Sequence, residues 1–127
     1  MDTEKKYEVS VSAQTQYLAD QSDETNDRYV FAYTITIRNT GSVPAQLVSR
    51  HWIVTDGHNQ AQEVRGLGVV GAQPQLKPGE SFEYTSGTAI ATPVGTMRGS
   101  YRMVAEDGTQ FDAPIPEFTL SVPRVLH

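Results

Sequence analysis

From Tyr29 to Arg38 the side chains alternate, with Tyr29, Phe31, Tyr33, Ile35 and Ile37 on one side and Val30, Ala32, Thr34, Thr36 and Arg38 on the other. A period of two over ten residues, rich in aromatic and β-branched types, is the pattern of a strand that buries one face. A helix would scatter the same residues around its circumference. The period recurs in Tyr7, Val9, Val11 and Ala13, in Phe82 and Tyr84, and in Met97, Tyr101 and Met103, the last set facing away from Arg98, Ser100 and Arg102. Ala45 to Thr55, with Leu47, Trp52 and Ile53, reads as a further strand, and Gln60 to Val64 as its returning partner. Thr109 to Ile115 reads as a strand that Pro116 breaks, after which Phe118, Leu120 and Val122 form a last inward-facing set.

Turn chemistry separates these runs: Asn39-Thr40-Gly41-Ser42, Asp56-Gly57, Lys77-Pro78-Gly79-Glu80 and Glu106-Asp107-Gly108. Leu18 to Arg28 is a polar loop. About seven short strands without a helical period predict an all-β antiparallel sandwich, with a closed barrel as the alternative that strand counting leaves open. The 127 residues suit a single domain spanning 1–127, with residues 1–6 as a flexible tail.

With 38% hydrophobic residues and 20% charged residues the chain has an ordinary globular composition. The absence of cysteine excludes disulfides, thiolate metal sites and a cysteine nucleophile. A formal net charge of −5 repels nucleic acid and anionic membranes, so neither is an expected partner. Met1 to Lys6 lead into the first strand without an apolar segment, and no apolar run reaches membrane-spanning length. A cytoplasmic protein is the expectation.

Gly66-Leu67-Gly68-Val69-Val70-Gly71 matches the G-x-G-x-x-G fingerprint of dinucleotide-binding folds. That fingerprint works by opening a helix whose free N–H groups hold a pyrophosphate. Pro74 and Pro78 forbid a helix of the required length after Gly71. The expected role of the glycines is therefore to bend an apolar ribbon. An anion nest formed by Gly66, Gly68 and Gly71 with Arg50 and Arg65 is the alternative.

His51, Asp56 and His58 are the only closely spaced metal-ligand types, and the Asp56-Gly57 turn would have to bring the two histidines together. Solvated turn and strand residues are the expected reading, so no metal or other cofactor is predicted. Asp20, Asp23, Glu24 and Asp27 lack the ligand spacing of an EF-hand and read as a solvated loop. No nucleophile-elbow string and no triad arrangement is present, so no catalytic residue is assigned and the chain is expected not to be an enzyme. Trp52 is expected in the core, with an interface anchor as the alternative.

Read together, Arg50-His51-Trp52, Glu63-Val64, the glycine string, Gln73-Pro74, Pro78-Gly79-Glu80, Tyr84-Thr85-Ser86-Gly87, Gly95-Thr96-Met97, Gly99, Tyr101, Ile115-Pro116 and Phe118 closely resemble the ApaG family. The resemblance runs from Tyr7 to Val125. It implies a fold like the immunoglobulin and fibronectin type III sandwiches, in a bacterial cytoplasmic protein associated with cobalt resistance and magnesium efflux. It implies protein binding by analogy with related eukaryotic domains, and it carries over no catalytic residue.

The leading functional expectation is a non-enzymatic interaction module that presents Leu67, Val69 and Val70 to an unidentified protein partner. The alternative is a small-ligand module that binds phosphate, nucleotide or a divalent cation near the ribbon. The oligomeric state stays open.

Overall fold

A computed structural model describes residues 5–123, in which two antiparallel sheets pack face to face. Residues 1–4 of the expected tail lie outside the described residues. The first sheet has the order β1 (Val9–Tyr17), β2 (Tyr29–Asn39) and β6 (Ser81–Ile90). The second runs β4 (Ala61–Leu67), β3 (Ala45–Asp56), β7 (Val94–Ala105) and β8 (Gln110–Ser121), and the two-residue β5 (Gln75–Leu76) pairs with the start of β3. The architecture is a sandwich, and the barrel alternative falls because each sheet keeps two margins. No helix among the described residues is long and apolar enough to cross a membrane.

The core is the alternation made solid. Phe31, Ile35 and Ile37 from β2 meet Leu47, Met97, Met103 and Leu120 from the second sheet, all of them 1% exposed or less. Each such side chain contributes about 1.5–3 kcal/mol by leaving water. Trp52 is buried at 2% exposure, which settles its role as a core residue and rules out the interface anchor. Its indole stacks on Tyr33 of β2 (5.4 Å, 17°) and meets the edges of Tyr101 (6.2 Å, 86°) and Phe118 (5.9 Å, 90°), so that one side chain joins three strands of both sheets.

One sequence expectation needs correction, and one bulge changes which residues of β3 face inward. Pro116 does not end a strand: β8 continues past it, because the ladder to β7 shifts between Met97 and Gly99 and the extra residue is absorbed as a bulge on a margin strand. Leu47 and Trp52 both point inward although their spacing is odd, because a second bulge between Leu47 and Ser49 reverses the parity of β3. Ile53 consequently lies on the outer face, between inward-facing Trp52 and Val54.

Two buried polar groups tie the layers. Asn39, 1% exposed, donates through Nδ2 to the carbonyls of Val43 (2.8 Å) and Leu76 (2.9 Å) and accepts from the Gly41 amide (2.9 Å), which fixes the turn into β3 and anchors β5. The hydroxyls of Tyr84 on β6 and Tyr101 on β7 hydrogen-bond each other across the sandwich. Burial pushes the Tyr84 hydroxyl up to about 12 and raises that of Tyr101 as well, the neighbouring Tyr84 adding to the effect.

Replacing one member of this pair strands the other. Tyr101→Phe should cost about 1–3 kcal/mol in urea unfolding, whereas the Tyr84→Phe/Tyr101→Phe double variant should recover much of that loss. Because the folded-state values are raised, the folded chain holds protons that the unfolded chain releases above about pH 10. Stability should be unaffected by this pair below pH 10 and fall as pH rises toward 12. The double variant should lose that alkaline slope, and a slope that persisted unchanged would remove the pair as its cause.

Candidate functional site

β4 forms one margin of the second sheet, and its far end leads straight into the glycine string. Gly66 lies opposite Arg50 on β3. A Cβ at Gly66 would stand 2.7 Å from Nη2, 2.8 Å from Cζ and 2.9 Å from Nη1 of Arg50, so the missing side chain makes room for the guanidinium to lie on the strand. Arg50 Nη1 then donates to the carbonyls of Leu67 and Gly68, both at 2.9 Å. The first glycine of the string exists for an arginine, not for a phosphate.

The rest of the string is a tight turn. Val69 N donates to Ala72 O (2.8 Å) and Ala72 N to Val69 O (2.9 Å), leaving Val70 and Gly71 as the central pair. Both have positive φ, 43° and 81°, as in the type I′ turns that favour Asn-Gly. Gly71 meets this demand freely. Val70 does not, because a β-branched side chain in the left-handed region costs about 1–2 kcal/mol.

The three residues expected to form a partner surface divide. Val69 is 1% exposed and belongs to the core, since the ladder from β4 to β3 ends at Leu67 and the turn that follows directs the Val69 side chain inward. Leu67 and Val70 are 75% and 60% exposed. Val64 of β4, 41% exposed, is opposite inward-facing Trp52 and so opens on the other side of the ribbon from Leu67. It was missed as a surface residue, although its place as the one large apolar side chain of Ala61 to Arg65 was a visible signal.

The expected anion nest is gathered only in part. The Gly68 amide donates to Val48 O (2.8 Å), and of the Arg50 guanidinium Nη1 is held on two carbonyls. Arg65 lies opposite His51, one step along β4 from Gly66, so it leaves the sheet on the face away from Arg50. There it lines an open depression of about 610 Å³ with Ser49, His51, Leu67, Ser100 and Arg102, and Arg50 and Gly66 border the same depression. Its basic side chains other than Arg50 each meet a carboxylate: Arg102 meets Asp112 (2.7 Å), His51 meets Glu63 (3.2 Å), and Arg65 meets Glu63 (3.9 Å). Beyond Gly71 the chain enters β5 instead of a helix, as Pro74 and Pro78 require.

His51, Asp56 and His58 do not converge. Asp56 Oδ1 accepts the amides of His58 (2.8 Å) and Gln60 (3.0 Å), which is turn stabilisation, and His51 faces Glu63. Among the described residues no group of three metal-ligand types comes together. The acidic loop is also self-contained, with Asp23 accepting from Thr25 Oγ1 and Asn26 Nδ2, both at 2.7 Å. The Asn26 and Thr25 hydrogen bonds hold its carboxyl below the usual range.

The turn geometry gives a direct test. Val70→Asn should stabilise the chain by about 1 kcal/mol, because asparagine tolerates positive φ and completes the preferred Asn-Gly pair. Gly68→Ala should destabilise by more than that, since Gly68 also has positive φ (63°) and a Cβ there would lie 2.3 Å from Ala72 O. A destabilised Val70→Asn protein in thermal melts would contradict the assigned strain.

Comparison with known proteins agrees with the shared fold. Residues 19–105 match the family model described as the ApaG domain. Protein ApaG of Nitrosospira multiformis is 71% identical over 123 residues, 97% of either chain, and Protein ApaG of Thiobacillus denitrificans is 68% identical over the same extent. The crystal structure of a Bordetella pertussis protein described as ApaA superposes with a TM-score of 0.92 at 58% identity, covering 96% of this chain and 99% of that one. The chain belongs to the ApaG family.

Proposed function

We propose that this protein is a non-enzymatic, cytoplasmic interaction module that binds a protein partner through the β4 ribbon and its turn, chiefly through Leu67, Val70 and Val64. The observation that carries this reading is Val70. A valine at positive φ costs folding energy, and leaving it 60% exposed gains almost nothing from burial, so the fold does not account for it. Three of the four large apolar side chains exposed among the described residues, Val64, Leu67 and Val70, share this one ribbon, with Val94 the exception. A strained, apolar turn beside an unpaired strand margin is the equipment of a docking surface.

The association with cobalt resistance and magnesium efflux that family resemblance implies is, in this reading, indirect. The module would act on ion balance through its partner.

The experiment is a quantitative pull-down from cells of the native organism. Leu67→Asp and Val70→Asp place charge on exposed positions, so both variants should fold and should lower partner recovery by about tenfold, the effect of removing one interface anchor. Val69→Asp should instead unfold the protein, because it buries a charge in the core. Undiminished recovery with both folded variants would sink the proposal.

A further inference from the structure

The two sides of the sandwich are built differently. On one side β1 runs beside β8, and β8 carries Pro114, Pro116 and a bulge, the devices that keep a strand margin from pairing with another chain. On the other side the margins are β4 and β6, and neither contains a proline. Between them runs a cleft with two depressions that share Val54 as a wall. The larger, about 400 Å³, is bordered by Gln62 and Ala89, and the smaller, about 190 Å³, by Val64, Ser86, Thr88 and Met97. Small side chains on β6 leave the space, and core residues form its floor.

Arg50 borders the smaller depression. Among the described residues its guanidinium has no carboxylate partner, whereas Arg65, Arg102 and His51 each have one. Nη1 is occupied by two carbonyls, and the remaining N–H groups of the fork are available. The cleft has a mixed polar and apolar lining, and its acidic residue, Asp56, borders the other depression. A half-buried cation without a counter-charge, beside that cleft and an open strand margin, selects an occupant with a carboxylate at the Arg50 end.

We infer that the cleft between β4 and β6 receives an extended acidic peptide segment of the partner. The segment adds as a strand to the free margin of β4, about 23 Å long at strand geometry. Alternate small apolar side chains enter the cleft over Val54 and Val64, and an aspartate or glutamate at the Gly66 end engages Arg50. This inference rests on the interaction reading above and specifies its ligand.

The test begins with a random heptapeptide phage library selected against the purified protein, followed by amide-shift mapping with the selected peptide. The expected result is one acidic position within an alternating β-branched frame, with shifts along Ala61–Leu67 and around Ser86 to Ile90. Changing the peptide's acid to its amide should weaken binding about tenfold, Arg50→Gln should do the same, and the combination should lose no more than either alone. The peptide-side change needs no protein variant to fold. Failure to select any peptide, absence of an acidic preference, shifts confined to residues 67–71 or to the outer face, or additive losses would each overturn the inference. Should recovery of the native partner depend on Leu67 and Val70 but not on Arg50→Gln, the interaction reading stands and this inference falls. Should it depend on none of them, the interaction reading falls first.

Discussion

The packing of Trp52 against Tyr33 is the contact on which the rest of the structure depends. It is a stacked pair drawn from different sheets, and Tyr101 and Phe118 close around it edge-on. Four aromatic rings at the centre of the sandwich bring about several kcal/mol of burial and fix the relative position of the layers. The Tyr84–Tyr101 hydroxyl pair lies in the same region, so this polar link between the sheets is formed where packing already holds them in register. Given that core, Arg50, two residues before Trp52 on the same face of β3, is carried to the margin of β4, where only a glycine leaves room for it.

This geometry changes what the glycine string means. Its spacing imitates a phosphate cradle, yet each glycine answers a local demand of the sandwich: Gly66 admits the Arg50 guanidinium, Gly68 lets the Ala72 carbonyl approach, and Gly71 supplies positive φ in the turn. The residue that no local demand explains is Val70. Function at this surface is therefore argued from the position where sequence and fold disagree most.

Much of the fold was legible in the chain because a half-buried strand writes its period into the sequence. Phe31, Tyr33, Ile35 and Ile37 all face the core as their alternation requires. What was hidden depends on register. A bulge adds one residue and reverses the parity of everything beyond it, so neither the inward turn of both Leu47 and Trp52 nor the survival of β8 past Pro116 follows from alternation alone. Gln75–Leu76 is too short to show a period, and its pairing is secured by Asn39, which reads locally as a turn residue. At the site, the apolar character of Leu67, Val69 and Val70 was plain, but which of them faced solvent was fixed by the turn, and that turn placed Val69 inside.

The central claim is that the β4 ribbon, and not exposed apolar surface in general, meets a partner in the cell. The most direct measurement places a photo-crosslinking amino acid at position 67 and, separately, at position 94, whose valine is 49% exposed but lies away from the ribbon. After irradiation of living cells, the account predicts a discrete crosslinked protein from position 67 and none from position 94. The same adduct from both positions, or an adduct from position 94 alone, would contradict it.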